Sequence, residues 1–158
     1  MEEAGDRVIM RIRTMVLTVM LAGSAWGQVE KPAAVDCSVD GRAQTCDRGE
    51  FLKRFAEGRT LALESVPRDR VADGQLASLS KSLGKTVVPG SADLTLRVVR
   101  AADSGFAVGT GDEELGTLRV IAANRLVWIE RYRGQPDTPW QAVVRGLTQQ
   151  LQGSLAGR

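Results

Sequence analysis

Ser78 and Lys81 have the spacing of the serine nucleophile and the lysine base in an SxxK motif. In enzymes that use such a pair, the base takes the hydroxyl proton while the serine oxygen attacks a carbonyl carbon. The companion motifs are absent, because the chain has no Ser-Asp-Asn and Lys85-Thr86 is followed by Val87 instead of glycine. SxxK arises readily by chance in a helix rich in serine and lysine, so we favour a chance match here.

The chain contains no histidine. This excludes Ser-His-Asp and Cys-His nucleophile systems, histidine-ligated zinc and the usual proton shuttle near neutral pH. Glu130 and Asp137 are the nearest approach to a carboxylate pair for acid–base chemistry. Three arginines surround Glu130 in the sequence: Arg125, Arg131 and Arg133. We therefore expect ordinary surface charge pairing at Glu130.

A glycine-rich acidic segment, Gly109–Glu114, resembles loops that hold an anion or Ca²⁺. Its three acids have the wrong charge for phosphate, and no strand and helix enclose a GxGxxG pattern. The alternating oxygen ligands of an EF-hand loop, closed by a bidentate glutamate, are also absent. We predict a solvated turn that holds neither a metal nor a cofactor.

Cys37 and Cys46 are the two cysteines of the chain. In an oxidising compartment an isolated pair is most simply a disulfide, and Asp40-Gly41 offers a turn between them. Closing this loop would stabilise the fold by about 2–3 kcal/mol. The spacing does not match a CxxC redox or zinc pair, and free thiols or an intermolecular disulfide are the alternatives.

Aromatic side chains cluster late in the chain, at Trp128, Tyr132 and Trp140. We expect the two tryptophans in the core and Tyr132 at its edge. An exposed ring beside the loop that follows Tyr132 would make this region the preferred binding surface. The candidate interaction surface comprises Tyr132, Gln135, Asp137 and Trp140.

The first 27 residues end in a pattern typical of a bacterial secretory signal peptide. Met10–Thr14 is basic, Met15–Ala22 is apolar, and small residues stand at Ala25 and Gly27. The apolar run is far shorter than the roughly 20 residues of a membrane helix, so we expect no permanent span after cleavage. The acidic residues after Met1 suit a signal peptide poorly and suggest that translation begins at Met10. A buried N-terminal helix is the alternative.

Ser24 stands where a bacterial lipoprotein cleavage box requires cysteine, so we expect an exported chain without a lipid anchor, periplasmic or secreted. The net charge is +2, and basic residues are interleaved with acidic ones. No basic run could follow a phosphate backbone, so nucleic acid is not an expected partner. An envelope protein is the expected partner, and the oligomeric state stays open.

Periodicity predicts the elements that must position these residues. We expect a helix over Asp47–Glu57 capped by Asp47, a strand over Thr60–Val66, a helix capped by Asp73, and a strand over Asp93–Arg100. Phe106–Val108 suggests a brief further strand. Leu115–Ala122 and Arg125–Tyr132 read as a hairpin that turns at Ala123-Asn124.

The last element shows an apolar stripe of helical period that begins at Trp140 and ends at Leu155. Together the elements predict an α+β fold, with a mixed or mainly antiparallel sheet of three to five strands and two or three helices packed on one side. We divide the chain into a signal peptide (1–27), a flexible lead-in with the disulfide loop (28–46) and a single α+β domain (47–158).

Three short runs carry a resemblance: Asp93–Val98, Leu118–Val120 and Arg125–Trp128, followed by the closing helix. Over about residues 59–155 the chain resembles small exported bacterial domains of unknown function, and its element order is similar to that of TolB amino-terminal-type domains. The resemblance implies a non-catalytic envelope domain that binds a partner, with no catalytic residue to transfer.

We therefore expect an exported, non-enzymatic domain that binds a protein or another envelope component. The alternatives are a small histidine-free hydrolase using carboxylates or Ser/Lys, and a carrier of a small ligand. Two carboxylates in a deep pocket would favour the hydrolase, and a closed apolar cavity would favour the carrier.

Overall fold

The computed structural model describes residues 33–102 and 112–157. The signal peptide, residues 28–32 and the strand predicted at Phe106–Val108 lie outside this range. In chain order the elements are β1 (Ala34–Asp36), β2 (Thr45–Asp47), α1 (Arg48–Glu57), β3 (Thr60–Val66), α2 (Arg70–Ser82), β4 (Thr86–Val87), β5 (Leu94–Arg100), β6 (Glu113–Ala122), β7 (Arg125–Gly134) and α3 (Trp140–Leu155).

Five strands of the described chain form one mixed sheet in the order β4-β3-β5-β6-β7. Strand β3 runs parallel to both β4 and β5, whereas β5–β6 and β6–β7 are antiparallel. A parallel neighbour requires a crossover, and α2 supplies it between β3 and β4. The predicted α+β class and mixed sheet are confirmed.

Helix α1 begins at the predicted cap, where the Asp47 carboxylate accepts a hydrogen bond from the Glu50 backbone N–H at 2.7 Å. The predicted cap of α2 is wrong. Asp69 holds that position and accepts from the Ala72 N–H at 2.9 Å, whereas Asp73 lies in the first turn. Both aspartates suit a helix start, and the sequence alone does not rank them.

One face of the sheet carries the main core. The strand register places Leu96, Val120 and Trp128 side by side, and all three are buried. From α1, Phe51 stacks on Trp128 with 4.5 Å between ring centroids. The apolar stripe of α3 contributes four further buried side chains: Val143, Val144, Leu147 and Leu151. The helices therefore cover one side of the sheet, as predicted.

The second face is covered in part by the β1–β2 hairpin. Ile129 points away from the helices, because it neighbours Trp128 along β7, yet it is only 6% exposed. Arg119, on the same face, pairs with Asp40 of the hairpin at 3.2 Å. Arg131 on this face donates to the Ser38 carbonyl oxygen. These contacts hold the hairpin over the β6–β7 end of the sheet.

The structure contains the Cys37–Cys46 disulfide, with 5.7 Å between the two Cα atoms. Both cysteines are buried and belong to the same apolar cluster as the sheet core. The Gln44 side-chain amide also donates to the Leu126 carbonyl oxygen at 2.7 Å. Residues 33–47 therefore form a hairpin that is packed on the sheet. None of the described helices is both long and apolar enough to cross a membrane.

Candidate functional site

The structure brings the predicted interaction residues together at one end of the sheet. Gly116 of β6 lies opposite Tyr132 of β7, and the Trp140 ring packs over Gly116 so closely that a Cβ there would lie 3.0 Å from Trp140 Cζ3. Tyr132 and Trp140 are half-buried, whereas Gln135 and Asp137 are exposed in the loop between them. These four residues, which we call the loop surface, are neighbours in space.

Hydrogen bonds hold the loop between Tyr132 and Trp140 in place. The Thr138 backbone N–H donates to the Gln135 carbonyl oxygen at 3.0 Å, and its hydroxyl donates to the same oxygen at 2.7 Å. The Gln135 side-chain amide donates to the Asp112 carboxylate at 3.1 Å. The Asp137 side chain is exposed and makes no hydrogen bond to another described residue.

A cleft of about 430 Å³ opens beside the loop surface. Arg100 lies over the Trp140 ring, with its guanidinium carbon 5.2 Å from the ring centroid. Arg133 and Glu113 also line the cleft, so its wall carries both signs of charge. Trp140 Nε1 is buried and has no hydrogen-bond partner among the described residues. Mixed charge around an aromatic ring suits a polypeptide surface better than a small apolar ligand.

The SxxK residues do not form a catalytic pair. Ser78 and Lys81 are both exposed on α2, and no hydrogen bond joins them. Ser78 lines a shallow groove between α2 and α3, whereas Ser80 is buried and donates its hydroxyl to the Ala77 carbonyl oxygen at 2.8 Å. The structure therefore gives no support to the SxxK motif as a nucleophile site.

Glu130 has a structural role that the sequence did not indicate. Its Oε1 atom accepts from the Trp128 indole N–H at 2.9 Å and from the Ser154 hydroxyl of α3. The expected charge pairing with neighbouring arginines is wrong, because Arg125 and Arg131 pair with Glu50 and Glu114 instead. Glu130 faces the helices, and those arginines do not share its environment.

Of the acidic segment Gly109–Glu114, residues 109–111 lie outside the described range. Glu113 and Glu114 belong to β6, and Glu114 pairs with Arg131 at 3.0 Å. Across residues 33–102 and 112–157, no group of three Cys, Asp or Glu side chains is arranged to hold a metal ion. Glu113 and Glu114 therefore lie in a strand and not in the solvated turn that the sequence suggested, and Asp112 directly precedes that strand.

A second polar cluster joins α1 to β3 and β5. The Arg59 and Thr60 backbone N–H groups donate to Asp93 at 2.8 and 3.1 Å, and these bonds hold the pKa of Asp93 below its ordinary value. The Lys85 ammonium donates to the Phe55 carbonyl oxygen at 2.6 Å, and burial lowers the pKa of Lys85. Each of these polar side chains makes hydrogen bonds with backbone groups, which indicates that the cluster has a structural role.

No protein-family model matches the chain. No curated protein matches it either. Among solved structures, a PelC dodecamer from Paraburkholderia phytofirmans aligns at a TM-score of 0.39 and 16% identity, covering 62% of this chain and 86% of that chain. A minor lipoprotein from Acinetobacter baumannii aligns at a TM-score of 0.35 and 15% identity, covering 63% and 92%. The resemblance to TolB amino-terminal-type domains is not tested by these alignments and stays a prediction.

Proposed function

We propose that this chain is an exported, non-enzymatic domain that binds a protein or another component of the cell envelope. Two features support export: the signal-peptide pattern of residues 1–27 and the Cys37–Cys46 disulfide in the core. Both cysteines are buried, so the fold relies on a bond that persists in oxidising compartments. The destination is the periplasm or the medium.

We assign partner binding to the loop surface of Tyr132, Gln135, Asp137 and Trp140. The observation that carries this assignment is the half-buried Trp140 ring, which borders a cleft and lies beside an exposed, ordered loop. Half-buried aromatic rings beside ordered polar groups are common anchors of protein interfaces. The exposed Asp137 carboxylate would add polar contacts at the rim.

Affinity capture tests this surface. The purified, oxidised chain is used as bait against an envelope extract, alongside the Asp137→Lys variant. The matched control is Glu57→Lys, which makes the same charge change at an exposed position on α1. We expect Asp137→Lys to weaken capture of a specific protein by about two- to five-fold, as for a rim charge. Equal capture by all three proteins would contradict the loop surface.

Export has its own test. Mass spectrometry of the chain from its native envelope should find an N-terminus at Gln28. Alkylation without reductant should leave Cys37 and Cys46 unmodified. An intact Met1 or Met10 would contradict export, and two labelled thiols would contradict the disulfide in the native compartment.

A further inference from the structure

Strand β3 lies next to the edge of the sheet, and its edge neighbour β4 is only two residues long. Two bonds from the β4 segment define which backbone groups face that neighbour. The Thr86 N–H donates to the Arg59 carbonyl oxygen at 3.1 Å, and the Val88 N–H donates to the Leu61 carbonyl oxygen at 2.9 Å. Because a strand alternates, the odd-numbered residues of β3 direct their backbone groups toward β4.

Beyond Leu61 no described strand pairs with this side of β3, because the chain leaves the sheet at Pro89-Gly90. The backbone groups of Leu63 and Ser65 on that side have no hydrogen-bond partner among the described residues. The Ser65 hydroxyl is already used, since it donates to Asp73 at 2.8 Å and accepts from the Asp69 N–H at 2.9 Å. The unused groups are therefore those of the main chain.

A groove of about 470 Å³ follows this open edge. The residues that line it are consecutive positions of β3 and two positions near the start of α2: Leu63, Glu64, Ser65, Val66, Arg68 and Asp73. Val66 is 47% exposed, and Val87 of β4 is 46% exposed. The edge therefore combines free backbone groups with uncovered apolar side chains, as strand-accepting edges do.

The charged side chains that line the groove favour some extended segments over others as ligands. Glu64 is paired with Arg97 at 2.6 Å, whereas Asp73 keeps its negative charge while it accepts a hydrogen bond from the Ser65 hydroxyl. Arg68 is exposed and makes no salt bridge within the described part of the chain. Arg68 thus places a positive charge beside the free edge, which complements a carboxylate on the incoming segment.

We propose that the open edge of β3 accepts an extended segment of a partner protein as an added strand, with an acidic side chain of that segment opposite Arg68. A second copy of this chain fits less well. The free stretch spans only Leu63–Ser65, and two such stretches paired with each other would bury far less than the roughly 1,200–2,000 Å² of a stable interface. The proposal rests on the proposed role in partner binding but not on the loop surface.

The test uses the purified, oxidised chain and two pools of octapeptides built from Val, Ile, Thr and Tyr, one with a central Asp and one with a central Lys. Hydrogen–deuterium exchange reports protection of the Ser65 amide. We expect the Asp pool to slow Ser65 exchange at least several-fold, because the amide gains a strand partner. We expect the Lys pool to bind about two- to five-fold more weakly.

Two controls test the geometry. Peptides N-methylated at the positions that face β3 should lose binding, whereas those N-methylated at the alternate positions should keep it. Arg68→Glu should reverse the preference for the Asp pool, and Arg70→Glu, an exposed position that does not line the groove, should leave it intact.

Three results would overturn the proposal. The first is unchanged exchange of the Ser65 amide with either peptide pool at millimolar concentration. The second is an equal loss of binding for both N-methylation patterns. The third is protection of the Ser65 amide that depends on the concentration of the chain itself in the absence of peptide. The last result would indicate a second copy at this edge. Because Asp137→Lys tests the loop surface separately, failure of one surface is distinguishable from failure of the other.

Discussion

Single residues at the loop-surface end of the sheet are held by close packing. The Tyr132 ring lies directly against Gly146 of α3, where a Cβ would approach Tyr132 Cε2 to 2.4 Å. Glycine is required here because two elements meet at backbone distance, not because of a backbone angle. The position of Tyr132 therefore depends on a residue of the facing helix.

Gly146→Ala should lower the free energy of unfolding by about 1–3 kcal/mol, because the added methyl group must displace the Tyr132 ring or α3. Gly153→Ala is the matched control in the same helix. A Cβ there meets nothing within 4 Å. We expect it to stabilise by about 0.5–1 kcal/mol through helix propensity. Urea denaturation measures both, and stabilisation by both variants would contradict the packing of Tyr132 under α3.

Asp93 gives a prediction about acid stability. Its pKa is lowered in the folded chain by hydrogen bonds from the Arg59 and Thr60 N–H groups. A carboxyl group of this kind stabilises the fold at pH values above its unfolded pKa of about 3.9, and this contribution is lost as the pH falls through the lower folded pKa.

The Asp93→Asn variant should therefore melt at a lower temperature than the unchanged chain at neutral pH. The gap should narrow as the pH falls below about 4, because the Asp93 carboxylate becomes protonated first in the unfolded chain. Asp137→Asn is the control, since that side chain accepts no backbone hydrogen bond from a described residue. Thermal melts across this pH range measure the effect, and a gap that is independent of pH would contradict it.

At the scale of elements, the β6–β7 hairpin shows how local signals position a surface. Its turn residues, Ala123 and Asn124, have φ angles of 50° and 59°. A two-residue turn with both angles positive matches the right-handed twist of the strands. The register that places Gly116 opposite Tyr132 depends on this turn together with the register shift between Val120 and Ile121, and both therefore position the loop surface at the far end.

Ala123→Gly should raise the free energy of unfolding by about 0.5–1 kcal/mol, because alanine is strained at positive φ and glycine is not. Asn124→Ala should lower it by a similar amount, since asparagine tolerates this region better than alanine. Chemical denaturation compares the two variants. Destabilisation by Ala123→Gly would contradict the turn geometry.

At the scale of the whole molecule, the sheet is covered on two sides by different means. Helices α1, α2 and α3 bury one face, and the disulfide hairpin covers the β6–β7 end of the other. The hairpin contributes the buried Cys37 and Cys46 to the core cluster. Its strands have three residues each, too few to be independently stable, so the disulfide and the contacts to β7 hold it in place.

The double variant Cys37→Ser/Cys46→Ser should lower the free energy of unfolding by about 2–3 kcal/mol, because the short loop is no longer closed in the unfolded chain. Hydrogen exchange should also accelerate at the Cys37 amide, which donates to the Gln44 carbonyl oxygen. Amides of α2 serve as the internal control. Acceleration shared equally by α2 and the hairpin would contradict a locally anchored hairpin.

Most elements could be predicted from the sequence because their signals are local. The bounds of β3, the capped start of α1, the Ala123-Asn124 turn and the stripe of α3 each depend on residues within a few positions of one another. The exclusion of histidine-dependent chemistry follows from the amino-acid composition alone. The Cys37–Cys46 pairing also followed from the count of two cysteines.

The tertiary structure decided what depends on residues far apart in the chain. Glu130 bonds Trp128 and Ser154 because β7 turns that side chain toward α3, and arginines nearby in sequence lie elsewhere. Contacts between β3 and α2 determine that Asp69, and not Asp73, caps α2. Among the described residues the edge of β3 is open because β4 ends early, and the sequence could indicate this only through Pro89-Gly90. Local chemistry therefore determined the elements of this protein, and long-range packing determined which surfaces they leave free.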